Sequence, residues 1–188
     1  METHYTIPKK GFVNVNVHAC YTYVPLKNGN KSGIGVVIRD DKGKIINMMT
    51  ETELGWPKIE RKNMLFAMMM GLRLAYEKEK EQIILETDNL FAYEGFCGKF
   101  SEAEKYELDQ LKKRKGATNM KIGPKYVPAS ANQLAIFLAR NGVETRDRLH
   151  VIDRPCGKAL EIWYDDMGLG SPWTRFISKD EACSKFQP

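Results

Sequence analysis

From Phe12 to Cys20 apolar and polar residues alternate, with Val13, Val15, Val17 and Ala19 set against Asn14, Asn16, His18 and Cys20. Successive side chains of an extended chain point to opposite sides, so this spacing predicts a strand with one apolar face. A polar connection with the turn signal Asn28-Gly29-Asn30 follows, and Gly33 to Arg39 reads as a second strand. Asp40-Asp41-Lys42-Gly43 has the composition of a hairpin turn, which makes Lys44 to Glu51 the returning strand. Three antiparallel strands in sequence form a meander.

The period then changes. Ile59, Met64, Leu65, Met68, Leu72, Ala75 and Tyr76 recur at helical spacing, with Pro57 near the start. Gln82 to Asp88 is a short strand, and Asn89 to Phe96 a short helix ended near Gly98. Ser101 and Glu104 stand in capping-box register at the head of a helix that runs to Lys115. Met120 to Val127 predicts a fifth strand. Pro128 and Ser130 introduce a last helix, with Leu134, Phe137 and Leu138 turned to a core and Gly142 marking its end. The order βββαβααβα predicts an α/β fold on a five-stranded mixed sheet. Residues 143–188 show no long period, but they hold Trp163, Tyr164, Trp173, Phe176 and Phe186, an aromatic extension that either docks on the domain or binds a partner.

A chain of 188 residues suits one compact domain, here 11–142, with that extension. Hydrophobic residues at 43% and charged residues at 28% exclude a disordered composition. No apolar run approaches the roughly 20 residues of a membrane span, and no apolar core follows the N-terminal charges as in a secretory signal. The expectation is an intracellular protein, nuclear or cytoplasmic, with no membrane partner. The four cysteines and three histidines are scattered without a C-x-x-C pair, so a structural zinc site is not expected.

Five motifs occur in an order that resembles the plant-type ribonuclease H-like (reverse-transcriptase-like) domains. They are Asn16-Val17-His18-Ala19-Cys20, Gly33 to Asp40, Gly71-Leu72-Arg73-Leu74-Ala75, Leu85-Glu86-Thr87-Asp88-Asn89, and Val127 to Ala135 followed by Leu138-Ala139-Arg140. The resemblance implies the ribonuclease H-like fold over about residues 11–142. It also implies four acidic positions around two magnesium ions, since hard cations need several oxygen ligands. Here those positions fall on His18, Met64, Asp88 and Ile136, of which Asp88 alone is acidic. A thioether and an aliphatic chain cannot ligate magnesium, and imidazole is a poor ligand for it. The expectation is therefore a domain without ribonuclease H chemistry and without a resident metal; magnesium enters only if the protein is an active hybrid nuclease with unusual ligands. His18 is expected to bond to Asp88 or, with it, to take a softer metal.

Lys and Arg exceed Asp and Glu by 29 to 24, a net charge of +5. Lys112, Lys113, Arg114, Lys115, Lys121 and Lys125 form a stretch with no acid among them. It reads as a footprint for RNA or an RNA/DNA duplex, as a nuclear localisation signal, or as a solvated helix end. Interleaved aromatics are few, with Tyr106 and Tyr126 the nearest. Trp163, Trp173 and Phe176 are candidate anchors for a protein partner, and with the methionine-rich helix they carry the alternative of an interaction scaffold.

Overall fold

The computed structural model describes residues 5–22, 31–54, 60–114, 120–144 and 149–169. Strands β1 (Val13–Thr22), β2 (Lys31–Arg39) and β3 (Ile45–Leu54) form the meander. Its second turn is built as the composition requires. Asp40 Oδ1 accepts the amides of Lys42 and Lys44, each at 2.9 Å, and Gly43 takes φ 76°, a left-handed conformation that favours glycine. Helix α1 (Glu60–Glu77) leads to β4 (Gln82–Thr87), which lies parallel to β1. Helix α2 (Leu90–Glu94) runs into a π-helical turn at Gly95–Lys99, and α3 (Glu102–Arg114) follows. The capping box at the start of α3 is present: Ser101 Oγ accepts the Glu104 amide while Glu104 Oε2 accepts the Ser101 amide. Strand β5 (Lys121–Tyr126) is parallel to β4 and forms one edge of the sheet, where Pro124 withdraws no hydrogen bond from a second neighbour.

The apolar face of β1 meets α1. Val15, Val17, Val36, Ile38, Leu85, Met64, Met68 and Leu72 are buried together. Helix α4 (Gln133–Glu144) covers the opposite face over β1, β2 and β3. It sits unusually close. A Cβ on Gly35 would stand 2.0 Å from the Ala135 carbonyl oxygen, so this strand glycine is what lets the helix backbone approach. Gly142 works in the same way. It does not end the helix, which continues to Glu144; a Cβ there would stand 2.7 Å from the Glu51 carbonyl oxygen. The expected helix stop is a helix–sheet contact.

The sheet has six strands, in the order β5-β4-β1-β2-β3-β6, where five were expected. Strand β6 (Leu149–Ile152) pairs antiparallel with β3, and α5 (Gly157–Asp166) follows and packs on α4. Four residues that alternate in exposure are too few to stand out in sequence from their charged surroundings. Trp163, expected among the partner contacts, instead turns inward. Its Nε1 donates to the Gly43 carbonyl at 3.0 Å, and its ring packs against the buried cluster that includes Val37, Ile45 and Met48. Trp173 and Phe176 lie outside the described residues. No helix among the described residues is long and apolar enough to cross a membrane.

Candidate functional site

The polar face of β1 points away from α1. Parallel pairing with β4 sets Glu86 opposite Asn16, and β5 sets Lys125 opposite Glu86. The Asn16 amide donates to Glu86 Oε2 at 2.7 Å, and Lys125 Nζ stands 3.3 Å from Oε1. Glu86 is only 1% exposed. Burial pushes its carboxyl above the usual range, and the Lys125 charge and the Asn16 bond return part of that shift. At the other end of the strand, Asn14 donates to the Tyr5 hydroxyl and the Thr6 carbonyl. Burial pushes the Tyr5 phenol up to about 12, so it stays a neutral donor and acceptor.

Asp88 follows the last residue of β4 and meets His18. His18 Nδ1 stands 2.8 Å from Asp88 Oδ1. The same oxygen accepts the Asn132 amide at 2.7 Å, and Asn132 also donates to the Val17 carbonyl at 3.0 Å. Asn132 comes from the 3-10 turn Ala129–Ala131 that leads into α4, so three separate segments converge on one carboxylate oxygen. Its part in the site was missed in sequence, where the signal was only its place in the stretch from Val127 to Ala135. Burial pushes the Asp88 carboxyl up, but the His18 hydrogen bond, the His18 charge and the Asn132 bond together outweigh it and hold the group below its ordinary value.

A depressed carboxyl contributes stability that is complete above the unfolded value, about 3.9, and lost as pH falls through the folded one. The stability gap between wild type and Asp88→Asn is therefore expected to persist above about pH 5 and to shrink on acidification below about pH 4. Urea unfolding at a series of pH values measures it, and a gap that widens toward acid contradicts the assignment.

Met64 and Ile136 complete the four positions singled out by the resemblance. Met64, on α1, is 1% exposed, with its sulfur 3.7 Å from Thr87 Oγ1; Ile136, on α4, is 7% exposed. Neither offers an oxygen. Among the described residues, no three His, Cys, Asp or Glu side chains are grouped to hold a metal ion. A pair of hard divalent cations does not fit this donor set.

The basic stretch is divided by the sheet. Lys112, Lys113 and Arg114 lie in the last turn of α3, which packs with α1 on one face; Lys115 lies outside the described residues. Lys125 projects to the other face with Glu86, and Lys121, four residues earlier on the strand, shares that face. Lys113 and Lys121 are exposed. The five described positions therefore form two groups rather than one patch.

The fold has close counterparts among solved structures. RNase H1 from the halophilic archaeon Halobacterium salinarum NRC-1 superposes with a TM-score of 0.56 at 15% identity, covering 71% of this chain and 98% of that one. LC9-RNase H1, a type 1 RNase H with the type 2 active-site motif, gives 0.60 at 15% identity over 87% of this chain and 85% of its own. LC11-RNase H1, solved in complex with an RNA/DNA hybrid, gives 0.52 at 16% over 71% and 96%. No curated protein matches the chain. At these identities the likeness carries the fold alone. The reverse transcriptase-like family model matches residues 22–142, from the end of β1 into α4, and with this topology it makes the chain a member of the reverse transcriptase-like family, with a ribonuclease H-like domain.

Proposed function

We propose that the protein is a ribonuclease H-like domain without nuclease activity that acts as a nucleic-acid-binding module. One observation carries the reading: Asp88, the single acid at the four positions, is held by His18 and Asn132 on one oxygen. A carboxylate engaged in this way, beside a buried thioether, supplies no ligand set for metal-assisted phosphodiester hydrolysis. Binding is supported by the fold itself, which LC11-RNase H1 uses to hold an RNA/DNA hybrid. The exposed Lys113 and Lys121 supply cations for phosphates.

The test is anisotropy of a labelled RNA/DNA hybrid, and of its RNA strand alone, titrated in magnesium at several salt concentrations. The expected result is affinity for at least one probe that falls as a steep power of salt, with both probes left intact. Cleavage at a rate typical of the family's enzymes overturns the inactive part of the reading. Absence of binding at low salt overturns the binding part and favours the interaction scaffold. That second reading has one observation of its own: Leu149 and Val151 on the edge strand β6 are 47% and 53% exposed.

A further inference from the structure

The two parallel strands β4 and β5 end side by side, with Thr87 paired to Tyr126. Asp88 follows β4. Tyr126, the last residue of β5, is 46% exposed and lies on the side of the sheet that carries α2. Tyr93 of α2 backs it, with ring centroids 6.2 Å apart and planes tilted by 55°. Position and conformation are set from both sides. The Asn89 side chain accepts the Ala92 amide at 2.9 Å and so caps α2 beneath Tyr93, and the Val127 amide donates to the Thr87 carbonyl and fixes the chain just after Tyr126. Tyr93 lies against the Tyr126 ring, which stays nearly half exposed.

Charge is arranged to match. Lys125 precedes Tyr126 and projects to the opposite face, so the two side chains flank the same end of the edge strand. Lys121 is exposed two residues before Gly123, and β5 contains no acid. Glu86, which Lys125 Nζ meets at 3.3 Å, is buried. A half-exposed aromatic ring beside a lysine, on a strand that is an edge of the sheet among the described residues, is the combination that holds single-stranded nucleic acid. A duplex keeps its bases stacked on one another and offers a side chain at its flank no such face.

We infer that the carboxyl end of β5 is a single-strand site, at which an unpaired base stacks on Tyr126 against Tyr93 while Lys125 meets a flanking phosphate. The inference rests on the binding function proposed above and narrows its ligand to single-stranded RNA or DNA.

The experiment compares the wild-type chain with Tyr126→Ala, Tyr126→Trp and Lys125→Gln, using a labelled oligouridylate of about 12 nucleotides and an RNA/DNA hybrid of the same length. Tyr126→Ala is expected to weaken oligouridylate binding by about tenfold, with the salt dependence unchanged and little effect on the hybrid. Lys125→Gln is expected to lower the salt slope by about one. Tyr126→Trp is expected to keep the affinity, and its added fluorescence to be quenched on binding relative to wild type. Tyr126 is a surface residue, and thermal melting of each variant confirms that the fold is intact. If the hybrid and the oligouridylate bind with steep salt dependence but Tyr126→Ala matches wild type, the single-strand site is wrong and the binding function stands. If no nucleic acid binds, both fall together.

Discussion

Arg39→Ala is expected to lower the stability of the protein by about 3 to 5 kcal/mol, the cost of opening a buried ion pair from one side. Arg39 ends β2 at a bulge and is 1% exposed. Its Nη2 donates to Asp166 Oδ2 at 2.5 Å, with the Asp166 side chain 8% exposed, and its guanidinium lies 4.0 Å over the Tyr5 ring. Three parts of the chain therefore meet on one side chain: the segment ahead of β1, the central hairpin, and the end of α5. Asp166 is also the last residue of α5, where the helix dipole opposes a negative charge, so removing the cation leaves two unfavourable effects acting on one carboxylate. Urea unfolding measures the loss, with an unchanged dependence on denaturant showing that the folded state stays as compact. The pair Arg39→Met with Asp166→Leu is expected to recover most of the stability, because an apolar pair carries no desolvation cost. A single variant within about 1 kcal/mol of wild type contradicts the clamp, as does a double variant as weak as the single one.

The clamp also shows which parts of the architecture sequence could reach. The meander was legible because Val13, Val15 and Val17 alternate against Asn14 and Asn16, and because Asp40 and Gly43 are the residues its turn requires. The long helix was legible by its period. Strand β6 and helix α5 were not, since their place depends on contacts with residues more than 90 positions away, Met48 to Ile152 in the sheet and Arg39 to Asp166 across the face. Gly142 misled for a related reason. A glycine near the end of a helical pattern usually stops it, whereas here it admits the backbone of β3, and only the tertiary approach decides between the two. At the site, residue identities at His18, Met64, Asp88 and Ile136 were readable through the resemblance, as was the pairing of His18 with Asp88. The convergence of Asn132 on the same oxygen was not, because it joins segments 44 residues apart. The division of the basic stretch was equally hidden, since adjacency in sequence does not tell which side of a sheet each lysine takes.

Restoring the missing acids is expected to have the largest functional effect. The triple variant His18→Asp, Met64→Glu and Ile136→Asp places four carboxylates at the positions where related nucleases are implied to hold theirs. It removes the imidazole that engages Asp88 Oδ1 and the thioether packed on Thr87. Without metal the variant is expected to be less stable than wild type, because Met64 is 1% exposed and Ile136 7%, and a buried carboxylate costs several kcal/mol when nothing compensates it. Added magnesium is then expected to raise its melting temperature progressively with concentration, as any ligand that binds only the folded state does. Wild type, with no such ligand set among its described residues, is expected to show no comparable rise. Cleavage of a labelled RNA/DNA hybrid is expected to appear only where the melting temperature responds. The two readouts separate the causes of failure. A folded variant that gains no magnesium stabilisation shows that these four positions do not converge, and the correspondence of residues is then wrong. A variant that gains stabilisation but cleaves nothing shows a rebuilt metal site that does not receive the substrate. A wild type that already cleaves as fast as the variant removes the case for an inactive domain, whatever His18 and Asp88 are doing.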